Sequence, residues 1–61
     1  MADERVRYLT PEDVSEALQI PVGTLANWRS QKKGPKFYRF GGLVRYHPDD
    51  FEAWLAAQAV G

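Results

Sequence analysis

The stretch Lys36 to Pro48, KFYRFGGLVRYHP, sets two adjacent glycines between two short runs of aromatic, β-branched and basic residues. Tyr38 and Phe40 alternate around Arg39, and Val44 and Tyr46 alternate around Arg45, which is the period of a β-strand. Gly41 and Gly42 between the runs supply the positive φ angles of a two-residue hairpin turn. Alternation predicts Tyr38, Phe40, Val44 and Tyr46 on the core-facing side, with Arg39 and Arg45 projecting outward. A lone two-stranded hairpin is marginal in water, so this one must lean on other elements through its aromatics.

Those elements flank it. Upstream, TPEDVSEAL opens with Thr10 as an N-cap, Pro11 at the first helical position, and Glu12 and Asp13 at the positive end of the helix dipole. Asp13 occupies the place where a capping box prefers Glu or Gln. Val14, Ala17 and Leu18 stand at i, i+3 and i+4, so a first helix is expected over 11–18 with a narrow apolar stripe, and Ile20 enters the core after it. Pro21 biases Ile20 away from helical angles, and the chain turns before a second helix, VGTLANWRSQ, begins near Val22. Leu25 and Trp28 form its inward pair, leaving Gly23, Thr24, Asn27 and Ser30 toward other faces. Gly23 weakens that helix by roughly 1 kcal/mol relative to Ala, which fits either close approach of the backbone to something or tolerance near the first turn. In KKGP the lysines suit the negative end of the helix, Gly34 takes a left-handed conformation and Pro35 prevents continuation. Downstream of the hairpin, HPDDFEAWLAAQ reads as a third helix with Pro48 at its start, Asp49 and Asp50 in its first turn, and Phe51, Trp54 and Leu55 as its stripe.

Sixty-one residues make one small domain, because a chain of this length buries only about 60% of the surface its unfolded form exposes. It contains no cysteine, so eight aromatic residues must supply much of the buried area. Residues 1–7 and 59–61 are expected to be flexible. The longest apolar runs fall far short of a membrane span, and MADERVRY is charged from its third residue, so a soluble intracellular protein is expected.

The formal net charge is zero, but the charges are not mixed. Between Val22 and His47 the chain carries Arg29, Lys32, Lys33, Lys36, Arg39 and Arg45 and no acid, a balance of +6 against −6 in the flanks. Such a partition fits one face meeting a polyanion while the other meets solvent or a partner protein; the plainer alternative is a solvated loop region. Catalytic chemistry has no constellation to rest on. His47 is the sole histidine and sits at a strand-to-helix junction, where capping or simple exposure is the ordinary explanation; Asp49 and Asp50 are helix neighbours that point apart; Ser15 and Ser30 have no histidine-based partners. Neither a metal site nor a cofactor is expected.

Two short helices joined by a tight turn, a basic second helix and a basic hairpin make a winged helix-turn-helix of order α-α-β-β-α, mostly helical with a two-stranded antiparallel wing. In this arrangement the second helix enters the major groove of duplex DNA, with Gly23, Thr24, Asn27, Arg29 and Ser30 on the recognition helix and Asn27 able to pair bidentately with adenine. Lys32, Lys33 and Lys36, together with Arg29, stand near phosphates and fix register. The wing reaches an adjacent minor groove with Arg39 or Arg45, and Gly41 and Gly42 let its backbone pass close.

From Tyr8 to Leu55, on LTPEDVSEAL, TLANWR, GPKFYRFGG, VRY and DDFEAWL, the chain resembles the MerR-like winged helix-turn-helix of phage and integrative-element excisionases. The resemblance implies a recombination directionality factor: a non-catalytic protein that binds direct repeats in attachment-site DNA, bends it, and redirects a phage integrase toward excision. It further implies a protein that associates with its neighbours cooperatively on DNA, and its modest core suggests a monomer when free. Pro21 stands where such proteins often have Ser or Thr, and Leu43 where a basic residue is frequent, which removes two possible contacts. Two other readings use the same residues: a small AlpA-type transcription regulator, and a protein-interaction module whose acidic first and third helices dock a basic partner.

Overall fold

The computed structural model describes residues 6–60, so the expected flexibility at residues 1–5 and 61 lies outside the described residues. Three helices and one hairpin follow in the expected order: α1 (Pro11–Leu18), α2 (Val22–Ser30), β1 (Tyr38–Phe40), β2 (Leu43–Arg45) and α3 (Pro48–Gln58). The architecture is a winged helix-turn-helix, with α1 packed on α2 and β1 paired antiparallel to β2.

Local chemistry accounts for each boundary. At the start of α1 the capping box is complete: the Asp13 N–H donates to Thr10 Oγ1 at 2.9 Å, and the Thr10 N–H donates to Asp13 Oδ2 at 3.0 Å. The backbone amide of Thr10, then its hydroxyl, hold the Asp13 carboxyl below its ordinary value of 3.8, with smaller help from Arg7 and Arg45. The helix ends at Gln19, whose left-handed conformation (φ 58°) lets the chain reverse. Ser15 ties this turn from both sides: its carbonyl accepts from the amides of Gln19 and Ile20, and its hydroxyl donates to the Ile20 carbonyl at 2.6 Å. Helix α3 starts on His47, whose Nδ1 accepts from the Asp49 N–H at 3.0 Å, the capping role its position suggested.

Four side chains form the buried apolar core: Val14 of α1, Leu25 of α2, Tyr46 just after β2, and Phe51 of α3. Leu9, Leu18, Trp28, Phe37, Val44 and Leu55 pack around them half-buried. Ala17 is exposed and Ile20 only half-buried, because α1 is short and meets α2 through a narrow stripe. Trp28 and Trp54 are also half-buried; they face each other with centroids 5.8 Å apart. One further pairing is unannounced by the sequence: Leu9 forms an isolated antiparallel bridge to Tyr46 just beyond β2, each amide donating to the other's carbonyl at 2.8 Å.

The hairpin corrects one expectation. Its register pairs Phe40 with Leu43, Arg39 with Val44 and Tyr38 with Arg45. Directly paired residues share a face, so a two-residue turn cannot place Tyr38 and Phe40 on the side of Val44 and Tyr46. Period-two alternation holds within each strand, but the turn length sets the phase between them. Arg39 therefore shares its face with Val44, while Tyr38, Phe40, Leu43 and Arg45 share the other. On that second face Tyr8 stands edge-on to Tyr38, Phe40 and His47, with centroids 6.0, 5.4 and 5.3 Å away.

Gly34 ends the α2 region with φ 80°, and a Cβ placed there would lie 2.8 Å from Trp28 Cε3. Gly34→Ala is expected to cost about 1–3 kcal/mol, from left-handed strain and a clash with a packed ring, whereas Gly23→Ala, where a Cβ meets nothing within 4 Å, leaves stability unchanged or raises it; thermal denaturation of both variants measures this. The lowered Asp13 pKa adds a pH dependence whose sign is fixed. Its stabilisation is present above the ordinary carboxylate value and is lost as pH falls through the lower folded value. In Asp13→Asn that part of the acid-side loss is absent, which urea titrations across the acid range check.

Candidate nucleic-acid interface

Helix α2 presents two very different sides. Leu25 is fully buried and Trp28 packs behind it, while Gly23, Ala26, Asn27 and Ser30 are exposed at the i, i+3, i+4 and i+7 spacing that makes one outward stripe. Gly23, Asn27 and Ser30, three of the expected recognition residues, thus share a face; Thr24 is half-buried at its border. The helix begins on Pro21 with no side-chain cap and no acid in its first turn, so its amino end keeps its positive partial charge. Among the described residues nothing lies within 4 Å of the missing Cβ of Gly23. Intramolecular packing therefore does not require the glycine.

The cations gather at the other end of α2. Arg29, Lys32, Lys33 and Lys36 line an open cleft of about 340 Å³ with Gly34, Pro35 and Phe37. The turn that builds it uses positive φ at Lys32 (59°) and Gly34 (80°), and the Lys33 amide closes back on the Trp28 carbonyl at 2.7 Å. Phe37 meets two guanidinium groups, with the Cζ atoms of Arg29 and Arg39 each 5.8 Å from its ring centroid. Lys36 places its ammonium 5.4 Å from the Tyr38 ring. The Tyr38 hydroxyl in turn donates to Asp50 Oδ2 at 2.9 Å, which fastens β1 to the first turn of α3.

Arg29 is the joint between helix and wing. Its Nη1 donates to the Tyr46 hydroxyl at 2.8 Å, and Tyr46 itself is 1% exposed. Alternation along the strand assigns Tyr46 to the core; the use of its hydroxyl depends on Arg29, 17 residues earlier in the chain. Phe37 was passed over for a similar reason, since its place between Arg29 and Arg39 follows from the hairpin register.

Five of the six cations of the acid-free segment, Arg29, Lys32, Lys33, Lys36 and Arg39, are thus brought together around the end of α2 and Phe37. Arg45 is not. It is half-buried on the opposite face of the hairpin, donates to the Val44 carbonyl at 2.7 Å, and lies near enough to Asp13 to lower its pKa. Gly41 (φ 55°) and Gly42 (φ 91°) form the exposed tip with the expected positive angles. Among the described residues no group of three or more His, Asp or Glu is placed to hold a metal ion.

Residues 8–59 match the family model described as a helix-turn-helix domain, and the chain belongs to that family. Membership makes double-stranded DNA the ligand its fold suggests. Comparison with curated proteins and with solved structures gave no match. No helix among the described residues is long and apolar enough to cross a membrane.

Replacing Tyr46 by Phe keeps the ring in the core and removes the acceptor of Arg29. The expected cost is about 1.5–3 kcal/mol, the range for a hydrogen bond to a charged group, with the fold retained by circular dichroism and DNA affinity reduced as the α2–wing angle loosens.

Proposed function

We propose that the chain is a sequence-specific DNA-binding protein that sets α2 in the major groove and its hairpin at the adjacent minor groove. The observation that carries this reading is the gathering of five cations, without an intervening acid, at the junction of the two groove-facing elements. Gly23, Asn27 and Ser30 face the base edges, with Thr24 beside them; Arg29, Lys32, Lys33 and Lys36 meet phosphates; and Arg39 enters the minor groove beside Gly41 and Gly42. Arg45 contributes through the fold of the wing instead, since it lies on the hairpin's other face.

Within that function the reading is a recombination directionality factor, an excisionase that binds direct repeats in attachment-site DNA cooperatively, as a monomer when free, bends the site and turns a phage integrase toward excision. Its support is the likeness of residues 8–55 to excisionase winged helix-turn-helix domains. An AlpA-type transcription regulator is the second reading: membership of the helix-turn-helix family supports it equally, and it needs the same surface. Stimulation of excision by a cognate integrase in vitro separates the two.

The DNA reading is tested by fluorescence anisotropy of labelled duplexes over a range of salt. Five gathered cations predict a log–log salt slope of about −4 to −5 per protomer. Arg39→Ala reduces the affinity and makes the slope shallower by about one; Arg45→Ala leaves the slope unchanged. Absence of binding at low salt would transfer the basic surface to a protein partner.

A further inference from the structure

The wing carries two large apolar side chains that the core does not take up. Phe40 is 49% exposed and Leu43 is 59% exposed. They are direct partners across the two-residue turn, so they stand side by side at the free end of the hairpin. Phe40 is not loose: Tyr8 meets it edge-on at 5.4 Å, and Tyr38 lies parallel to it within 6° at a centroid distance of 6.2 Å. Beyond the pair the chain narrows to Gly41 and Gly42, around whose absent side chains there is open space. The result is a thin, braced, apolar tip, with Arg39 on its other face.

We propose that Phe40 and Leu43 form an apolar wedge that seats in the minor groove of duplex DNA and partly unstacks a base step. The proposal rests on the DNA reading above and deepens it by naming how the wing chooses its site. The minor groove is walled by deoxyribose C–H groups, and opening a step exposes base faces, so an apolar pair is better accommodated there than in water. Arg39, next to Phe40 in β1, has its guanidinium over Phe37 on the wing's other face and joins the cations at the end of α2, so the wing that carries the apolar pair is basic and DNA is the occupant its charge fits. The wedge also predicts a preference opposite to that of a purely cationic wing. Arginine alone favours the narrow, electronegative groove of a stiff A-tract, whereas a wedge favours pyrimidine–purine steps, above all TA, which unstack at least cost.

Two duplexes with identical flanks and equal A·T content test this, one with a central TATATA and one with a central A-tract, measured by competition anisotropy at fixed salt. The wild-type chain is expected to bind the TATATA duplex more tightly, on the order of fivefold, and to brighten 2-aminopurine placed at the TA step. Leu43→Ser and the double variant Phe40→Ser/Leu43→Ser abolish the preference and the brightening while keeping the salt slope; Leu43 is exposed enough for its single variant to fold, which thermal denaturation verifies. Leu43→Arg turns the preference toward the A-tract and steepens the slope by about one. Equal binding to the two duplexes, a wild-type preference for the A-tract, or indifference to Leu43→Ser each overturns the wedge while leaving DNA binding standing. Failure to bind either duplex instead overturns the DNA reading itself.

Discussion

The fold depends on the burial of Tyr46. Its backbone is held on one side by two 2.8 Å hydrogen bonds with Leu9, its ring fills the space among Val14, Leu25 and Phe51, and its hydroxyl accepts from Arg29. A buried phenol needs a partner for its oxygen. Here that need is met by the side chain on α2 that also lies over Phe37 at the base of the wing. One residue therefore links the amino-terminal segment, both helices of the helix-turn-helix, the hairpin and α3. In a domain whose core cluster among the described residues is Val14, Leu25, Tyr46 and Phe51, that linkage does what a larger core does elsewhere.

From this linkage follows the division of labour between the hairpin's two faces. The side that carries Phe37, Arg39 and Val44 is turned to the core and to the end of α2, and its cations join those of the α2 turn. The other side carries Tyr8, Tyr38 and Phe40, a small aromatic layer outside the main core, fastened to α3 through Asp50. The wing is thus supported on both faces, as a two-stranded ribbon must be to hold an angle relative to a helix. Four acidic side chains, Glu12, Asp13, Asp49 and Asp50, stand in the first turns of α1 and α3. Asp13 completes a capping box, Asp49 and Asp50 occupy the first turn of α3, and the segment from Val22 to His47 contains no acid of its own.

Much of this was legible along the chain because it is local. The extent of α1, the turn at Pro21, the left-handed Gly34, the Gly41–Gly42 turn and the His47–Pro48 start of α3 each follow from residues within one or two turns of one another. The expected recognition stripe of Gly23, Asn27 and Ser30 is exposed for the same reason, since helical spacing fixes it once Leu25 is inward. The hairpin faces were misjudged where two local signals had to be combined: alternation within each strand and the length of the turn between them. Only pairing reveals that Arg39 and Arg45 point to opposite sides.

The sequence by itself determined the order of elements, their caps and turns, and the concentration of positive charge between Val22 and His47, because propensity, capping and charge act over a few residues. Tertiary structure alone decided that Arg29 reaches Tyr46, that Leu9 bridges to Tyr46, that five cations converge while Arg45 lies on the hairpin's other face, and that Phe40 and Leu43 remain at the surface. Those outcomes are set by strand register and by which side chains fit a very small core, and both are properties of the chain folded on itself.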